Sequence, residues 1–68
     1  MELEKISREI FERMKEKALN DPIEKTGEHG SYKSYHLEER NSKEIIRVNE
    51  YINAVDGFPS DTVEYESE

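Results

Sequence analysis

Ile45, Val48, Ile52 and Val55 recur at spacings of three, four and three, so at about 100° per residue they share one stripe, with Tyr51 at its edge. Asn41 with Glu44 three positions on has the form of a capping box. Gly57 offers a residue free to take positive φ, and Pro59 blocks any resumption. The pattern predicts a helix over about 42–56. Ile46 does not fit that stripe: it falls about 100° away, on a strip shared with Asn49, Glu50 and Asn53. Either the middle of the chain covers it, through Tyr32 or Tyr35, or a partner does.

Nearer the start, Leu3, Ile6, Ile10, Met14 and Ala18 keep to one face with Phe11 widening it, which predicts a first helix over about 2–20. Glu4 with Arg8 and Glu9 with Arg13 are oppositely charged at i,i+4 in the favourable order. No good N-cap precedes this helix, and Pro22 stops it near Asn20 by disfavouring helical geometry at Asp21. Between the two helices, Gly27 and Gly30 bracket a turn. One reading is a short helix over about 31–40, with Tyr32, Tyr35, His36 and Glu39 on one side. The other is a small β-hairpin, 23–26 against 31–37, with Tyr35 and Leu37 facing inward. The helix-forming run Leu37–Arg40 tilts the balance towards the first.

The expected fold is therefore mostly α: an antiparallel helical hairpin, with a short helix or small β-hairpin between, centred on Ile10, Met14, Ile45, Val48 and Ile52. Residues 1–57 form one small helical domain. Residues 58–68 carry four acidic side chains and no basic one, and are expected to be a flexible acidic tail.

Composition limits what such a domain can do alone. Only 14 of its 68 residues are Leu, Ile, Val or Phe, so the core is thin, and a chain without cysteine has neither disulfides nor thiolate zinc to reinforce it. Dimerisation is the remaining support, with the two helices doubling into a four-helix bundle. A net charge of −7 with no basic cluster opposes direct binding to nucleic acid or anionic membranes. No apolar run approaches the roughly 20 residues that span a bilayer, and no basic segment precedes an apolar one as in an export signal, so the expected location is cytoplasmic.

The chemistry is correspondingly sparse. His29 and His36 are the only side chains that ordinarily titrate near neutrality, they stand seven apart, and neither belongs to an HExxH arrangement. His36 with Glu39 could supply two metal ligands, a pairing common by chance. No serine sits in a nucleophile-elbow setting, and there is no phosphate loop. No catalytic residue, metal ligand or cofactor is expected.

What remains is a small acidic protein that binds and regulates or inhibits a protein partner with a basic surface. Its composition is similar to that of short acidic phage-encoded host-takeover proteins, antitoxins and nuclease inhibitors, an analogy that no motif supports. The expected partner-binding residues are Ile46, Asn49 and Asn53, aided by Glu64, Tyr65, Glu66 and Glu68 from the tail. The alternative is an assembly module that builds the homodimeric bundle.

Overall fold

The structure, a computed structural model, describes residues 3–27, 30–52 and 57–68. It overturns the helical hairpin: the protein is a five-stranded mixed sheet with a single helix on one face. The elements are β1 (Leu3–Ile6), α1 (Arg8–Asn20), β2 (Ile23–Lys25), β3 (Tyr32–Arg40), β4 (Lys43–Tyr51) and β5 (Asp61–Ser67). The strand order is β1-β5-β4-β3-β2, with β1 parallel to β5 and every other pair antiparallel.

The expected first helix is divided by Ser7. Its extended backbone ends β1, and its hydroxyl accepts the Ile10 N–H at 3.3 Å, capping α1. Phe11, Met14 and Ala18 then face the sheet, and α1 ends at Asn20, ahead of Pro22. Because β1 and β2 are the two edges of the sheet, α1 must cross from one to the other. Its 13 residues span about 20 Å, close to the roughly 19 Å of four inter-strand gaps.

The segment 43–51, expected to be helical, is the central strand β4. Asn41 and Ser42 both have positive φ, 53° and 63°, so they form the two-residue turn of a tight hairpin and not a helix start. That turn sets the register of β3 against β4, with Arg40 opposite Lys43, Leu37 opposite Ile46, Tyr35 opposite Val48 and Tyr32 opposite Tyr51. In the middle segment the favoured short helix over 31–40 is overturned, since Tyr32–Arg40 is strand β3; the alternative hairpin is nearer, with β2 paired to the start of β3 and Tyr35 and Leu37 facing α1. The four-helix bundle falls with the second helix.

Residues 61–67, expected in a flexible tail, form β5 between β4 and β1. Val63 and Tyr65 alternate with Thr62, Glu64 and Glu66, a period of two that suits a strand. The core on the helix side joins Phe11 to Tyr35, Ile46 and Val48, with Ile6, Met14, Ala18, Leu37 and Tyr65 packed around them.

The opposite face has no second layer among the described residues, yet Ile45 on that face is only 3% exposed. Side chains from three strands close over it. Arg40 of β3 reaches across β4 to grip Glu64 of β5 with two hydrogen bonds, 3.0 and 2.6 Å, and also holds Glu38 at 2.8 Å. Glu38 is bonded in turn to Arg47. Given the register, the Arg40 side chain must pass over Ile45 to reach Glu64. The guanidinium stem shields the isoleucine while its head stays paired.

Candidate partner-binding end of the sheet

Strand alternation separates the residues expected to bind a partner. Ile46 is fully buried beneath α1, so it belongs to the core and is closed to any partner. Its strip was a product of helical periodicity, which a strand replaces by alternation. Tyr65 lies on the same side of the sheet as Ile46, while Asn49, Glu64 and Glu66 face the other way. Asn49 accepts a hydrogen bond from the Thr62 hydroxyl at 2.9 Å. Glu64 is 4% exposed and held by Arg40, whose guanidinium keeps the carboxyl below its usual range against the opposing effect of burial. The same contacts raise the Arg40 pKa. Glu66 is bonded to Lys43. Glu68 donates its backbone N–H to the Ile6 carbonyl. Asn53 lies outside the described residues. The tail acids Glu64 and Glu66 are thus ion-paired within the sheet, not held out as free charge.

A different set of residues gathers at the end of the sheet away from the Asn41–Ser42 turn. Tyr32 and Tyr51 stack there with ring centroids 4.6 Å apart and planes 17° from parallel, as their cross-strand register brings them together. Ile23 of the neighbouring β2 is 49% exposed, and Ile52 and Phe58, in the connection from β4 to β5, are 58% and 74% exposed. The Asn49 amide and the Thr62 hydroxyl, both half-buried, continue the surface on the tyrosine side, and Ser34 beside them is buried.

On the helix side of the same end, Glu50 and Asp61 stand directly opposite each other, and neither joins an ion pair among the described residues. Lys33 flanks Glu50 from β3. These three side chains and Tyr65 surround a cavity of about 160 Å³ floored by Val48 and Val63. Burial, followed by the charges of Glu4 and Asp61, raises the Tyr65 phenol above its usual pKa. The arrangement pairs exposed apolar and aromatic side chains with two carboxylates and a single lysine at one end of the molecule.

His36 lies on the tyrosine face with Nε2 3.0 Å from the Ser34 hydroxyl, and His29 is outside the described residues. Among the described residues no group of three or more His, Asp or Glu side chains could hold a metal ion. No helix among them is long and apolar enough to cross a membrane. The chain matches no family model, no curated protein and no solved structure.

The tyrosine pair could have been found from sequence by symmetry about the hairpin turn. Tyr32 and Tyr51 are equally distant from Asn41–Ser42, so once that pair is taken as a two-residue turn the two rings must face each other.

Proposed function

We propose that this chain is a small, non-enzymatic cytoplasmic protein that regulates or inhibits a protein partner, which it grips with the Tyr32/Tyr51 end of its sheet. The observation that carries the reading is the concentration there of Ile23, Ile52 and Phe58, half of the described large hydrophobic residues that are strongly exposed, around a stacked tyrosine pair. Exposed apolar residues gathered together, and not scattered singly, mark interaction surfaces, and tyrosines are enriched where such surfaces bind. The charge of the partner follows from the rim. Glu50 and Asp61 face each other with Lys33 beside Glu50 as the one cation lining the same cavity, so the rim carries a net negative charge that a partner's Lys or Arg reaching the Tyr65 cavity would balance.

The reading is tested by placing a photo-activatable cross-linking residue at Ile52 and, separately, at Glu12 on the outer surface of α1, in cells that produce the protein. One partner captured from Ile52 and not from Glu12 is expected. Tyr51→Ala should then weaken binding to that partner by about thirtyfold, the loss of roughly 2 kcal/mol typical of an aromatic anchor. Capture from Glu12 alone, or unchanged affinity in Tyr51→Ala, refutes it.

A further inference from the structure

The hairpin turn lies at the other end of the sheet, and there β3 outruns its neighbour. β2 pairs only with Tyr32–Ser34, and the last backbone bond on that side comes from the residue before β2, where the Pro22 carbonyl accepts the Tyr35 N–H at 2.8 Å. On the inner side β4 accompanies β3 all the way to Arg40. Backbone groups alternate in direction along a strand. Ser31 and Tyr35 both bond towards β2, so Leu37 and Glu39 also direct their N–H and C=O groups to that outer side. No described strand runs beside them.

Exposed edges of this kind are usually guarded by charged side chains. Here two of the three charged side chains are turned inward, Arg40 reaching over β4 to Glu64 and Glu38 bonded to Arg47 and Arg40, and Glu39 is left exposed. We infer that the outer edge of β3 from Leu37 to Arg40 is a strand-addition site for an extended segment of another protein. The segment would place an aliphatic side chain beside Leu37 and a Lys or Arg beside Glu39. Leu37 is half-buried against the core, so an aliphatic neighbour extends that cluster. Glu39 stands opposite Glu44, and among the described residues the only cation bonded to either is Lys15, on Glu44. A basic side chain from the added strand supplies the missing counter-charge.

A second copy of this chain fits poorly. Antiparallel two-fold pairing that uses the outward groups of both Leu37 and Glu39 sets Glu38 against Glu38 and His36 against Arg40. Pairing centred on Leu37 drives Glu39 towards Tyr35, whose N–H the Pro22 carbonyl already occupies.

The probe is a blocked threonine heptapeptide with lysine and valine two positions apart, titrated into the full chain. Amide shift changes should centre on Leu37 and Glu39, and exchange of those two amides should slow about tenfold at saturation. N-methylation of the probe at its edge-facing positions should abolish binding. Replacing the probe's lysine by glutamate should weaken it, and Glu39→Lys should restore the glutamate probe. Equal binding of the N-methylated probe, shift changes centred on Tyr51 and Ile52, or no saturable binding at millimolar probe overturns the inference. So does a chain that sediments as a dimer with both amides already protected. The edge lies at the opposite end from the Tyr32/Tyr51 surface, so either proposal can fail without the other.

Discussion

Phe11→Ala isolates what joins the helix to the sheet. Phe11 is the one described residue of α1 with no exposure, and it rests on Tyr35, Ile46 and Val48 at the centre of the core. Removing a buried aromatic side chain costs about 3–5 kcal/mol through lost transfer energy and the cavity left behind. A chain of 68 residues has about 3–10 kcal/mol in total at 0.05–0.15 kcal/mol per residue, so the variant loses a third of its stability at the least. At about 4–8 °C per kcal/mol the melting midpoint should fall by at least about 12 °C, or the chain should be unfolded at room temperature. Leu19→Ala in the same helix is the control: Leu19 is 64% exposed, and its truncation should change stability by less than about 0.5 kcal/mol. The assay is thermal unfolding followed by circular dichroism, with amide exchange resolved by residue. A Phe11→Ala cost below about 1 kcal/mol refutes the packing. Exchange showing α1 melted over a sheet as stable as before would refute the single shared core.

The other predictions concern pH and the hairpin. Glu64 has its folded pKa depressed by Arg40, so the stability it contributes is present above about 4.5 and is lost as pH falls through the lowered value. Glu64→Gln should flatten that acid limb in urea titrations from pH 5 downward. Tyr35 and Tyr65 have raised phenol pKa values, Tyr35 through burial and then the charge of Glu24, and Tyr65 through burial and then Glu4. The stability they supply holds below about 10 and is lost as pH rises through the raised values, which ultraviolet titration of tyrosinate will follow. Ser42→Gly should stabilise the protein by about 1 kcal/mol, since glycine takes the positive φ that serine holds under strain. Chemical unfolding would show it as a higher midpoint at unchanged slope.

The local signals around α1 were legible, and the long-range ones were not. Met14 and Ala18 of the expected stripe face the sheet, but its centre is Phe11, expected only to widen it, while Ile10 is 46% exposed; Pro22 ends the helix where expected. Around residue 45 the same method failed because a central strand buried on both faces shows no alternation for a period count to find. Ile45 and Ile46 are adjacent and both buried, one under Arg40 and its partners and the other under α1. A helix can bury such a pair only by leaving one at the margin of its stripe, and Ile46 stood out from the helical reading for that reason. The β-branched run Ile45, Ile46 and Val48 was the better guide. Asn41 was ambiguous in kind, since asparagine serves both as an N-cap and in the positive-φ positions of a tight turn.

The acidic end of the chain was misread for an electrostatic reason, and the same reason bears on where a partner can bind. Counted along the sequence, Glu64 and Glu66 have no cation nearby, so residues 61–67 have the composition of a solvated tail. Counted across the sheet, Glu64 meets Arg40 and Glu66 meets Lys43, residues more than 20 positions away. Pairing removes the self-repulsion that would oppose a strand, and it closes the half of the face over Ile45 with charges already satisfied. A partner docking there would have to break a two-pronged Arg40–Glu64 contact and desolvate both groups, an exchange that gains little. Towards Tyr32 and Tyr51 no such network exists among the described residues, and apolar side chains reach solvent with Glu50, Asp61 and Lys33 behind them. The distribution of ion pairs is therefore one support for the proposed partner surface at the tyrosine end, and the face over Ile45 serves to hold the sheet together.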